Sequence, residues 1–185
     1  MPEGSKQAAI LIATSFQAMN RAAQGRKDTL VSDATVMILF AGFYIEATLN
    51  YIADFTGNAP AMTDFLKKPY PGMQDKLAWF YNTYVATQKV PNRGQLYARG
   101  IEAKLRRKYP GFAELYKFRN DISHGQVNKC AASMPTANRL RKRAKDIVAA
   151  LYRATSKAGC EVPRITTYHE AIASFSNVDP TVRCR

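Results

Sequence analysis

Three residues within one short stretch, Arg119, Asn120 and His124, carry side chains that could together do chemistry on a phosphodiester. The stretch Leu115–Gly125 reads Leu-Tyr-Lys-Phe-Arg-Asn-Asp-Ile-Ser-His-Gly, and its spacing predicts a helix. Histidine as a residue type titrates near neutral pH and can take or give a proton. Arginine stays charged and offers a planar fork of donors to a phosphate. An amide between them can orient either one. RNA needs little more: its 2′-hydroxyl attacks the adjacent phosphorus once a base removes the proton and a cation steadies the added charge. No metal is demanded, and no His/Cys/Asp/Glu group has the spacing of a ligand set.

Helical geometry orders these residues. Leu115, Phe118 and Ile122 fall at i, i+3 and i+7 and predict the core face. Asn120 and His124 lie one turn apart, roughly opposite that face, with Arg119 beside the stripe and able to swing toward His124. Gly125 permits a close approach or turn just past the histidine. A polar pair facing away from its own bundle needs a second surface to close over it. A second copy of the chain, related by a two-fold axis, is the economical candidate. The plain alternative is that His124 only caps the helix, where a cation is favoured.

The elements that must hold this helix also read as helices. Ala9, Ile12, Phe16, Met19 and Ala23 predict a first helix over about 4–24, and Gly25 stops it. Asp28 or Ser32 can cap a second helix running to about Phe55, apolar on every side near its middle, as a buried bundle helix is. A helical turn near Met62–Leu66 precedes a third helix over about Met73–Thr87. Gln95–Tyr109 reads as one basic helix, Phe112–Val127 as the motif helix, and a long helix follows the Ser133 cap to near Gly159. The expectation is an all-α, up-and-down bundle of about five helices in a single domain over 1–158. The extension 159–185 is ambiguous: Ile165–Tyr168 is β-prone and Tyr168–Phe175 is helix-compatible.

Charge narrows the partners. The 185 residues carry 27 Lys and Arg against 14 Asp and Glu, a net charge of +13, which favours a polyanion such as RNA. Lys104, Arg106, Arg107 and Lys108 form one cluster; Arg139, Arg141, Lys142, Arg143 and Lys145 form a denser one. Either is a solvated face or a sequence-independent grip on RNA phosphates, and the overall charge favours the grip. Tyr97, Tyr109 and Tyr116 interleave with the first cluster but, at helical spacing, read as core before base-stacking platforms. His169-Glu170 has no second histidine at zinc-protease spacing and reads as surface. Cys130, Cys160 and Cys184 are odd in number and widely spaced, so neither a disulfide framework nor a zinc site is expected, and a cytoplasmic setting fits. The longest apolar run, Val36–Ile45, is ten residues and Glu46 follows it, so no membrane span is expected. The stretch Ala8–Ala13 is only six residues, with no basic region before it and no cleavage signal after it, so no export signal is expected.

The segment Arg119-Asn120-Asp121-Ile122-Ser123-His124 resembles the signature of the HEPN superfamily: an Arg, a polar residue that is often Asn, then a His a few positions on. Glu46-Ala47-Thr48-Leu49-Asn50 resembles that family's second helix, and Asp75-Lys76-Leu77-Ala78-Trp79 is a fainter likeness to the segment before the motif helix. The likeness spans roughly Gly4–Tyr152. It implies a dimerising helical bundle whose two motifs line one cleft, and a metal-independent, cofactor-free endoribonuclease of the toxin or phage-defence kind. Products would carry 2′,3′-cyclic phosphate and 5′-hydroxyl ends. Arg119 and His124 would be the catalytic pair, with Asn120 the polar position. Apart from the likeness, Glu46 inside so apolar a helix must be paired, either as the group that orients Arg119 or a neighbouring motif residue or as a buried acid met by any nearby Lys or Arg. Asp121 is a second supporting candidate. Two further readings belong beside the ribonuclease: a non-catalytic RNA- or nucleotide-binding module, and a subunit docking an acidic partner such as an antitoxin.

Overall fold

The fold is taken from a computed structural model. It describes residues 3–24, 33–67, 71–86, 90, 92–124, 133–167 and 169–171. These form α1 (Glu3–Ala22), α2 (Asp33–Phe55), α3 (Ala59–Leu66), α4 (Met73–Phe80), a π-helix (Tyr81–Ala86), α5 (Arg93–Ala98), α6 (Ile101–Lys108), α7 (Phe112–Ser123) and α8 (Met134–Lys157), with no strand among the described residues. The chain is all-α, and its helices pack as a bundle around α2.

α2 holds the centre because it is apolar on all sides. Met37, Ile38, Tyr44, Ile45, Leu49, Tyr51 and Ile52 are all buried, against α1 most extensively and α8 next. By length and composition alone α2 could cross a membrane, yet 67% of that apolar window is buried by the rest of the protein. It is the core helix that continuous hydrophobicity predicts. α8 supplies the other long wall: Leu140, Ala144, Ile147, Val148 and Leu151 are buried at helical spacing. Ser133 caps its first turn by accepting from the Thr136 N–H at 3.3 Å, and Pro135 sits where a missing N–H costs nothing.

Two expectations are corrected in the middle of the chain. The basic stretch 95–109 is two short helices, because Gly100 takes a left-handed conformation (φ +69°) that a helix interior does not accept. The segment 73–87 also changes character: α4 gives way at Tyr81 to a π-helical turn, a rare backbone form often found where function needs a local reshaping. It is fastened by Tyr84, whose hydroxyl lies 2.7 Å from Thr56 Oγ1 and accepts from Asn58 Nδ2 at 2.9 Å.

The first part of the extension is no loose appendage. Ile165 and Ala171 are buried, and the Ile165 N–H donates to the Tyr152 hydroxyl at 3.4 Å. Residues 160–166 form no strand among the described residues, while Tyr168, the end of the β-prone stretch, lies outside them. At Thr167 a helical turn starts through a reciprocal cap. Glu170 accepts from the Thr167 N–H at 2.9 Å and donates its own N–H to Thr167 Oγ1 at 3.1 Å. The added bond from the Thr166 hydroxyl holds the Glu170 carboxyl below its ordinary range. Glu170 is thus a capping residue beside an exposed His169. Cys160, just past α8, is buried and disulfide-bonded, its partner lying outside the described residues. The odd count of cysteines, from which no disulfide framework was expected, still allows this one bridge.

Candidate functional site

α7 starts after Gly111, whose left-handed backbone (φ +84°) lets the chain turn tightly into the helix. A side chain at Gly111 would also meet Arg143 Cγ at 3.0 Å, so α7 begins flush against α8. Phe112 and Leu115 are buried and Phe118 and Ile122 pack partly buried on the core. The core stripe is therefore the expected one.

Arg119 departs from its expected direction. Rather than reaching out toward His124, it turns inward and lies on α2. Its Cγ would sit 2.9 Å from a Cβ at Gly42, and its guanidinium stands 5.4 Å from the centre of the Phe43 ring. One terminal nitrogen donates to Glu46 Oε2 at 3.2 Å, and the other to Asn120 Oδ1 at 3.2 Å. The second oxygen of Glu46 accepts from Lys76 Nζ at 2.8 Å. Three helices thus meet at one carboxylate, with α2 giving Glu46, α4 giving Lys76 and α7 giving Arg119. The side chains of all three are less than a quarter exposed. One carboxylate serving two cations leaves a positive charge over, in a place where water screens it poorly. Two N–H donors of the guanidinium are engaged, so its terminal nitrogens keep others for a phosphate oxygen.

His124 closes α7. Its backbone N–H donates to Asn120 O at 2.9 Å, which places the amide and the imidazole one helical turn apart. The ring is exposed. Gly125, expected to let the backbone turn after the histidine, lies outside the described residues. Asp121 is not a partner of Arg119: it pairs with Lys117 at 2.7 Å across a turn. Among the described residues no three His, Cys, Asp or Glu side chains are grouped to hold a metal ion.

No family model, curated protein or solved structure matches this chain. The site is therefore read from its own geometry.

The basic clusters divide once their partners are seen. Arg139 is held by a bidentate pair with Glu114 (2.8 and 2.6 Å), which keeps that carboxyl below its usual range. Arg141 donates to Asn20 at 2.9 Å. Arg143 lies 3.8 Å from Asp146. Lys145 sits over the Phe16 ring, where burial lowers its pKa. Lys142 shares an open groove with Arg139 and Arg143. In the other cluster Arg106 borders a small cleft of about 180 Å³ with Gln74, Glu102 and Tyr116. Lys104 is half-buried and Arg107 exposed. The tyrosines between them are structural: Tyr109 is buried, Tyr116 stacks on Phe112, and Tyr97 donates to Asp75 at 2.8 Å beside Arg93. Burial and that carboxylate push the Tyr97 hydroxyl well above its ordinary range.

Sequence reasoning missed Gly42, Phe43 and Lys76 as parts of the site. Gly42 and Phe43 fall at i−4 and i−3 from Glu46, the same face of α2, so that spacing was the available signal. Gly42 supports a prediction. Alanine there gains helix propensity worth about 1 kcal/mol. Against this, its Cβ strikes Arg119 near the root of the side chain, an overpacking costing about 1–3 kcal/mol. Gly42→Ala is expected to shift stability by about 1 kcal/mol in thermal unfolding while lowering any activity that needs Arg119 by at least about tenfold.

Proposed function

We propose that this protein is a metal-independent endoribonuclease of the HEPN kind. The observation that carries the reading is the arrangement on α7. Arg119 is fixed by Glu46 and Asn120, with spare donors and an excess positive charge, and His124 stands one turn beyond Asn120 on the same helix.

The chemistry follows from these roles. His124 takes the proton from a 2′-hydroxyl, or returns one to the 5′-oxygen that leaves. The 2′-oxygen forms its bond to phosphorus as the bond to the 5′-oxygen breaks, giving a 2′,3′-cyclic phosphate and a 5′-hydroxyl. Arg119 donates to the non-bridging oxygens, whose charge grows in the transition state. Glu46 and Asn120 hold the guanidinium in position, and Lys76 keeps Glu46 in place from the far side. The exposed imidazole needs a second surface to exclude water and complete the cleft. A second copy of this chain is the proposed source.

The test is cleavage of an end-labelled RNA in excess EDTA. Cutting that persists in chelator and leaves cyclic-phosphate ends is the expected result. Cutting that disappears with chelator, or ends bearing a 5′-phosphate, would reject the mechanism. Binding without cutting at any enzyme concentration would leave a non-catalytic RNA-binding module.

A further inference from the structure

A second feature lies away from the Arg119 cluster and shares no residue with it. The π-helical turn and the C-terminal half of α8 enclose a groove of about 440 Å³. Three cations line it, Lys108 from the end of α6 and Arg153 and Lys157 from α8, with no carboxylate among the lining residues. All three are exposed, and none pairs with an acid among the described residues. By contrast Arg119, Arg139 and Arg143 each face a carboxylate.

Helix-end electrostatics explain part of this, because Lys108 and Lys157 each sit in a last turn. They do not explain Arg153, nor why two helix ends converge on one groove. Arg153 and Lys157 are moreover four residues apart on one helix, a like-charge spacing that weakens a helix unless an anion lies between them. The floor is Ala150, Ala154 and Ala158, again at intervals of four, so a ligand can approach the helix closely. Tyr84 is the aromatic residue of the lining, and it is not free to stack on a base. Its ring packs on Phe80 at 4.9 Å, its hydroxyl is engaged by Thr56 and Asn58, and it is only 7% exposed. Cations without acids and without a free ring suit the phosphates of a strand rather than its bases.

We propose that this groove grips the phosphodiester backbone of single-stranded RNA through Lys108, Arg153 and Lys157, at a point separate from the reacting motif. The assignment rests on the RNA reading above and adds Arg153 and Lys157, which lie outside both basic clusters, to Lys108 of the first. Arg106, two residues before Lys108, belongs to a different cleft, so the cluster over 104–108 is split between two surfaces.

The experiment uses the full chain and a single-stranded 2′-O-methyl RNA, which has no free 2′-hydroxyl and cannot be cut. Binding is titrated over a series of salt concentrations for wild type, for K108Q/R153Q/K157Q, and for an exposed control set, R21Q/K67Q/R99Q. Loss of three phosphate contacts should reduce the salt slope by about 2 and weaken binding at low salt by at least about tenfold. The control set should stay within about twofold of wild type. A folded groove variant, judged by unchanged circular dichroism and melting temperature, that keeps wild-type affinity and slope overturns the proposal. So does an equal loss in the control set, or a loss seen only with poly-glutamate, which would mark an acidic polypeptide as the ligand. Cleavage of ordinary RNA separates this from the catalytic reading. Cutting by wild type together with unchanged binding by the groove variant removes the groove alone, whereas binding lost in the groove variant while wild type never cuts removes the ribonuclease alone.

Discussion

His124→Ala is expected to lower RNA cleavage by about a thousandfold while leaving the fold intact. General acid–base groups contribute about 10²–10⁴ in rate, and a thousandfold corresponds to about 4 kcal/mol of transition-state stabilisation. The fold should survive because the imidazole is exposed and its described bonds are made by the backbone. Binding of uncleavable RNA should change little, since the phosphate-facing cations remain. Paired measurements of single-turnover cleavage and of thermal unfolding check both halves. A His124→Ala chain that cuts at the wild-type rate would leave the histidine as a helix cap and nothing more.

Removing the Glu46 carboxylate is expected to disturb both stability and activity, and a second substitution separates the two. Glu46→Ala leaves Lys76 and Arg119 facing one another without an intervening anion in a mostly buried place. Breaking a fully buried pair costs about 3–5 kcal/mol. Partial exposure reduces that to about 2 kcal/mol here, or a fall of roughly 4–8 °C in melting temperature. Adding Lys76→Ala removes one of the stranded cations and should recover part of the stability. It should not recover cleavage, because Arg119 still lacks the oxygen that positions it. A loss of about a hundredfold that persists in the double variant is the signature of positioning. Cleavage that returns together with stability would reduce Glu46 to a structural role.

Much of this architecture is legible in the sequence, and the failures have physical causes. The central helix is announced by its continuous hydrophobicity, and α8 by its Ser cap, early Pro and apolar stripe. The core face of α7 follows from Leu115, Phe118 and Ile122 alone. Local periodicity does not show the break at Gly100, because a glycine in a helical pattern is tolerated until its backbone sign is known. Nor does it show the π-helical turn, which depends on packing of Tyr84 against Thr56 and Asn58, 28 and 26 residues away. For the site, Arg119, Asn120 and His124 could be chosen from residue type and spacing. The direction of Arg119 could not be chosen that way. It is set by an acid 73 residues earlier in the chain and by the absence of a side chain at Gly42. Lys76 escaped for the same reason: its partner is 30 residues away on another helix. The basic clusters were visible as charge. Which charges are already neutralised depends on side-chain contacts, with Arg139 on Glu114 and Arg143 beside Asp146.

The carboxylate shared by α2, α4 and α7 has a consequence for how such a protein is made. A chain that cuts RNA is a hazard to the ribosome-rich surroundings in which it is synthesised. Glu46 reaches its two cations only after segments from the first, middle and later parts of the chain have met. Nascent fragments that lack α7 have no motif, and clipped copies that lose α4 lose the support behind Arg119. In the proposed reading the same oxygen pair that orders the guanidinium also acts as an assembly check, so that incomplete molecules are inert.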